Sequence, residues 1–201
     1  MRQLSLAMQP PRAPTLDNFV PGANAELLAR LRELAAGTLG EAVIYLWGET
    51  GSGRSHLLAA CSSPGVCVAD DVDALDEAAQ ISLFNRINEA REHGGKVLAA
   101  GSAPPAQLKL RDDLRSRLGW GLVYQVKALT DDDRALYLAA EGSRRGLELS
   151  DEVIRYLLSH VRRDMPSLDA LVDHLDRHAL EKQRRVTLPL VREALSALRR
   201  D

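Results

Sequence analysis

The sequence predicts an α/β fold, a parallel sheet with helices on both faces, followed by an all-helical C-terminal segment. Three observations predict it. An uncharged apolar run at residues 42–47 leads directly into a glycine-rich turn and then a helical stretch. From there to Val126, short apolar runs alternate with helical patterns, the order that produces parallel strands with crossover helices. After Leu129 no strand-like run recurs and capped helices follow one another.

The elements follow in order. Residues 1–15 read as an extended tail, because Pro10, Pro11 and Pro14 oppose a helix. Phe19-Val20-Pro21-Gly22 forms a turn, and Asn24 stands where it would cap a helix carrying Leu27, Leu28, Leu31 and Leu34 on one face. Gly37 and Gly40 end that helix. The first strand is 42–47, and the helix after the glycine-rich turn runs through Leu57, Leu58 and Ala60. Ser62-Ser63-Pro64-Gly65 turns the chain into a second strand at 66–69, which ends on Asp70-Asp71. A helix from about Asp76 to His93 is broken by Gly94-Gly95, and a third strand at 96–100 is stopped by Gly101 and Pro104-Pro105. A fourth strand occupies 123–126. Thr130-Asp131-Asp132-Asp133 opens the first C-terminal helix, with acids at the end the helix dipole favours. Ser150 caps a second, Asp164 with Pro166 opens a third, and Thr187 with Pro189 a fourth. The expected division is a tail (1–15), an α/β subdomain (16–129) and a helical subdomain (130–201).

Composition narrows the functional classes. The 201 residues are 45% hydrophobic and 27% charged, enough for one core and a small helical appendage. The formal net charge of −2 excludes a strong overall basic field for gripping DNA. Two cysteines, Cys61 and Cys67, make neither a disulfide framework nor a metal site. No apolar run is long enough for a membrane span, and the prolines and Gln9 disqualify the start as a signal peptide. A cytoplasmic location without membrane association is expected.

Gly48-Glu49-Thr50-Gly51-Ser52-Gly53-Arg54-Ser55 matches the phosphate-loop pattern G-x-x-x-x-G-K-[ST], with Arg54 in place of lysine. Glycines let the backbone turn N–H groups toward an oxyanion, and the next helix aims its N-terminus at the same point. The expected nucleotide-binding set is Gly48, Thr50, Gly51, Ser52, Gly53, Arg54, Ser55 and the adjoining His56, a histidine of a kind that more often packs or caps than acts as an acid–base catalyst. Ser55 offers a hydroxyl to Mg²⁺, and Asp70 and Asp71, at a strand tip downstream, are acids suited to the same ion; they also suit a strand-end turn and helix cap. Arg115 and Arg117, beside Gly119-Trp120-Gly121, read either as a solvated helix end or as guanidinium donors to a phosphate across a subunit boundary. His174 and His178 share a helix face, but no acid pattern accompanies them and they are read as ordinary helix residues.

These motifs, in sequence, resemble the DnaA family of AAA+ P-loop proteins: Phe19-Val20-Pro21-Gly22, Tyr45-Leu46-Trp47-Gly48, Gly53-Arg54-Ser55-His56-Leu57-Leu58, Asp70-Asp71, Pro104-Pro105 and Ser116-Arg117-Leu118-Gly119-Trp120-Gly121. The resemblance covers most of residues 16–198. The loop arginine and the Ser-His-Leu-Leu continuation are closer to the Hda-type regulators than to the initiators. The resemblance implies an AAA+ subdomain with a helical lid, ADP or ATP with Mg²⁺ as cofactors, and Arg117 as an arginine finger supplied in trans. Gln3, Leu4, Ser5, Leu6 and Met8 resemble the short peptide by which replication proteins dock on the DNA polymerase sliding clamp, a glutamine amide with apolar anchors. The implied function is a clamp-bound regulator of replication initiation, near the nucleoid and replisome, that stimulates hydrolysis of DnaA-bound ATP and prevents re-initiation. Sliding clamp and DnaA are the implied partners, and a homodimer stays open. The chain ends soon after the last lid helix, so sequence-specific DNA binding by a helix-turn-helix domain is not expected.

Four departures from the family pattern bear on chemistry. Arg54 replaces lysine, and the two are not interchangeable. The stretch from Cys61 to Gly65 has no room for a strand and helix usual there, so the sheet should lack one edge strand. Pro166 stands where the family carries a nucleotide-sensing arginine, leaving Arg162 or Arg163 as candidates, and Ser102 stands where an acid is usual. Little intrinsic ATPase activity is expected. The alternatives are a clamp-binding adaptor with a degenerate nucleotide site and a self-sufficient AAA+ ATPase.

Overall fold

The structure is a computed structural model and describes residues 13–198. It forms two compact units that divide between Ala128 and Leu129.

The first unit contains α1 (Ala25–Ala35), β1 (Val43–Trp47), α2 (Arg54–Ala60), β2 (Val66–Ala69), α3 (Glu77–His93), β3 (Lys96–Gly101), α4 (Asp112–Leu118) and β4 (Leu122–Gln125), with single 3₁₀ turns at Val72–Ala74 and Pro105–Gln107. The strands form a four-stranded sheet in the order β2-β3-β1-β4, and every neighbouring pair is parallel. Val43, Ile44, Tyr45 and Leu46 of β1 are all buried, as expected for a central strand covered on both faces. The period-two alternation sorts them. Ile44 and Leu46 join the α1 leucines, Leu57, Leu58, Leu98 and Val126 in one core. Val43 and Tyr45 join Leu83, Ile87, Val97, Leu114 and Leu118 in the other. Each fully buried leucine or isoleucine contributes about 1.5–3 kcal/mol, so the two cores hold the strand tips rigidly where the phosphate loop begins.

The sheet has the reduced form expected from the short link between α2 and β2. Strand β2 pairs with β3 alone and is an edge, with Val68 36% exposed. Asn24 departs from expectation: its side chain makes no capping bond to α1. Its amide instead donates to Pro21 O (3.0 Å) and Lys127 O (2.9 Å) and accepts from Lys127 N (2.8 Å). A buried amide is better satisfied by three partners than by one helix N–H, and these bonds tie the entry of α1 to the exit of β4.

The second unit holds α5 (Asp131–Arg144), α6 (Asp151–His160), α7 (Met165–Lys182) and α8 (Leu188–Leu198). Thr130 and Asp133 form a reciprocal capping box on α5. Ser150 accepts from Val153 N and Asp164 from Ser167 N. Pro166 sits in the first turn of α7, where a missing N–H costs nothing. Leu138, Leu157, Leu168, Val172, Leu175, Leu190 and Val191 form its core. Among the described residues no helix is long and apolar enough to cross a membrane.

Candidate nucleotide loop and arginine surface

Parallel strands place the chain segments after β1, β2 and β3 at one edge of the sheet, where ligands of open α/β sheets bind. The phosphate loop leaves β1 there. Gly48 must be glycine: a Cβ on it would lie 2.5 Å from the Val126 carbonyl oxygen. Gly53, the residue before α2, has φ +101°, and a Cβ would meet the Phe19 ring at 2.7 Å. Phe19 packs on the loop and against His56, ring centroids 5.6 Å apart, and His56 Nε2 lies 2.9 Å from Thr15 O. His56 thus braces the segment before α1, which is the packing reading of that residue. Ser55 and Thr50 are exposed. The Ser52 hydroxyl is buried and has no hydrogen-bond partner among the described residues; such a hydroxyl inside a glycine loop fits an anion that completes its bonding.

The Arg54 guanidinium donates to the Gly101 carbonyl at the end of β3, a contact made by the register that sets Trp47 opposite Gly101. Asp73 lies beside it, accepting from Ser102 N (3.0 Å) and Ser102 Oγ (2.9 Å). Burial alone would raise the Asp73 carboxyl, but the Ser102 bonds and the nearby Arg54 charge outweigh it and hold the group below its ordinary value. Tyr45 donates to Ala103 O at 2.8 Å, and its hydroxyl is pushed upward, first by burial and then by Asp73. The sequence reading singled out neither Tyr45 nor Asp73 for this site. The signal was available: Asp73 and Ser102 follow adjacent strands paired Ala69 to Ala99. Asp70 and Asp71 are exposed at the tip of β2, and Asp70 Oδ1 accepts the Asp71 N–H at 2.9 Å. Among the described residues no group of three His, Cys, Asp or Glu could hold a metal. Mg²⁺ at Ser55, Asp70 and Asp71 would therefore depend on nucleotide oxygens as well.

Near the start of α7, Arg163 donates to Asp131 Oδ2 (2.8 Å) and Leu158 O (3.2 Å), so it is engaged within the helical unit. Arg162 pairs with Asp164 at 3.2 Å and is 87% exposed. The clamp-peptide residues Gln3, Leu4, Ser5, Leu6 and Met8 lie outside the described residues.

Arg117 stands in the last turn of α4, between the buried Leu114 and Leu118. Its Cζ lies 3.4 Å from the Trp120 ring centroid and 5.3 Å from that of Phe84, and Nε donates to Asn88 Oδ1 at 2.8 Å. Arg91 reaches the same indole, Cζ 4.6 Å from its centroid. Arg115 is paired with Asp112. Of the two arginines the sequence singled out, the structure ties one to an acid and stacks the other on an aromatic ring.

Residues 131–195 match the family model described as "Hda, lid domain". The C-terminal unit is thus similar to the lid domain of Hda. Solved structures agree on the fold of the whole. The replication initiator DnaA bound to AMPPCP and single-stranded DNA is 21% identical with TM-score 0.68, over 85% of this chain and 68% of that one. Domain III of the Thermotoga maritima replication initiation protein DnaA is 20% identical with TM-score 0.67, over 92% and 97%. A Thermotoga maritima RuvB mutant is 16% identical with TM-score 0.64, over 93% and 73%. These likenesses are of fold, an α/β unit followed by a helical unit similar to the Hda lid.

Proposed function

We propose that this chain is an Hda-like regulator of replication initiation, which binds the sliding clamp through Gln3–Met8 and promotes hydrolysis of DnaA-bound ATP through Arg117. The observation that carries the reading is the setting of Arg117: its guanidinium is stacked on an exposed indole and, among the described residues, makes no ion pair. A guanidinium so placed can stabilise charge developing on the γ-phosphate of ATP held by another AAA+ subunit, an effect worth roughly 10³–10⁵ in rate. The Hda lid and the DnaA-type fold support DnaA as that partner.

The loop from Gly48 to Ser55 would hold the chain's own ADP or ATP through backbone N–H groups, Ser52 would bond an anion there, and Ser55 with Asp70 and Asp71 would hold Mg²⁺. Bound nucleotide would supply negative charge that orders the loop. Arg54, held at Gly101 beside Asp73, is poorly placed to assist hydrolysis in its own site, which supports little intrinsic ATPase activity. The same contact favours the adaptor with a degenerate nucleotide site as the second reading. Thermal unfolding with ADP and Mg²⁺ decides between loaded and degenerate sites, since a ligand of the native state raises the melting temperature.

The deciding experiment measures hydrolysis of DnaA-bound ATP with clamp loaded on DNA, comparing wild type with Arg117→Ala and checking that both fold and bind clamp. The expected result is stimulation by wild type and none by the variant. Full stimulation by Arg117→Ala would overturn the assignment.

A further inference from the structure

We infer that Trp120 and Asn88 are positioning residues for Arg117, the indole carrying the guanidinium by its face and the asparagine oxygen orienting it through Nε. The inference rests on the reading of Arg117 as a residue acting in trans. An arginine on a helix surface samples many rotamers, and holding it in one costs side-chain entropy. A group that acts on a phosphate must nevertheless sit within about 1 Å of its productive place, because misplacement of that size costs on the order of a hundredfold in rate.

The surroundings of Arg117 meet this need from three directions. Its backbone is fixed because Leu114 and Leu118, on the same short helix, are fully buried. Trp120 follows in a turn closed by its own N–H on the Arg117 carbonyl (3.2 Å). The 3.4 Å distance from Cζ to the ring centroid is a stacked contact, which favours the charged plane over the indole face. Asn88, on α3 beside the buried Ile87 and Ala90, accepts Nε–H. Stacking uses a face and Asn88 uses one donor, so the amino groups at the end of the fork stay available to an anion. A stack that only covered apolar surface would have no need of the Asn88 bond, and Trp120 remains 49% exposed. Arg91 lies on the same ring, Cζ 4.6 Å from its centroid, and adds a second positive charge near it.

The test uses the full chain in the clamp-dependent assay of DnaA-bound ATP hydrolysis, titrated to saturation. Trp120→Leu and Asn88→Ala should lower the maximal stimulation about tenfold or more while leaving the half-saturating concentration unchanged, and Trp120→Tyr should restore most of it. Full maximal stimulation by both variants, with Arg117→Ala inactive, overturns the inference and leaves the reading of Arg117 intact. Stimulation retained by Arg117→Ala instead removes that reading and the inference with it. NMR of the Arg117 Nε–H gives a second measure independent of the partner. The resonance should be shifted by the indole ring current and move in Trp120→Tyr and Trp120→Leu; one unmoved by both also overturns the inference.

Discussion

Protonating a single carboxylate should measurably loosen the C-terminal helical unit. Glu141 is buried in the C-terminal unit at 8% exposure. Arg144 donates to it at 2.8 and 2.6 Å, and Arg145 at 2.8 Å. Arg145 also pairs with Asp173. The Arg144 hydrogen bonds lower the carboxyl most, burial opposes them, and the Arg145 bond and both charges add to the lowering, so the group falls from 4.5 to about 2. A group depressed in the folded state stabilises it above the unfolded value, and loses that contribution as pH falls through the folded one. The contribution is therefore complete above pH ~4.5 and gone below pH ~2. The shift converts to about 3 kcal/mol at most, and solvent around the half-exposed Arg144 reduces it to about 2 kcal/mol. Urea unfolding followed by circular dichroism should show Glu141→Gln less stable than wild type by about that amount at pH 7. The gap should narrow steadily between pH ~4.5 and ~2. Comparing the two proteins at each pH cancels the other carboxylates. A difference that stays constant from pH 7 to 2, or is already absent at pH 7, would refute the linkage.

Two further outcomes test the construction of the first unit. Gly53→Ala places a side chain at φ +101° against Phe19; it should cost about 1–2 kcal/mol and weaken the stabilisation by ADP and Mg²⁺, both read by thermal unfolding. If the variant matches wild type in both respects, the Phe19 contact does not shape the loop. Asn24→Ala leaves Lys127 N–H and two carbonyls without their amide partner, which should cost about 2–3 kcal/mol in denaturant unfolding. A loss below about 0.5 kcal/mol, the range of ordinary surface changes, would mean water replaces the amide.

Much of this architecture was legible because it depends on short-range pattern. The uncharged run before Gly48, the capping residues Thr130, Ser150 and Asp164, and the breaks at Gly94-Gly95 and Pro104-Pro105 act within a few residues of themselves. The short link from Cys61 to Gly65, set beside the pattern of the family the sequence resembles, announced a sheet lacking a strand. The partners of polar side chains were not legible. Asn24 looked like a helix cap, but its bonds go to Lys127, more than a hundred residues away. Spacing places Arg54 in the phosphate loop, but the bond its guanidinium makes to Gly101 was not legible, because β1–β3 pairing brings the two close.

The sequence by itself determined where strands and helices fall, that a glycine loop joins β1 to α2, and which arginines merited attention, because periodicity, caps and backbone permissiveness are properties of neighbouring residues. Only the tertiary structure decided that Asp73 faces Ser102 and Arg54, and that Arg117 lies on Trp120 with its Nε on Asn88. Those pairings depend on strand register and on α3 and α4 lying side by side. A charged side chain several bonds long has many partners within reach until the packed core fixes which one is near.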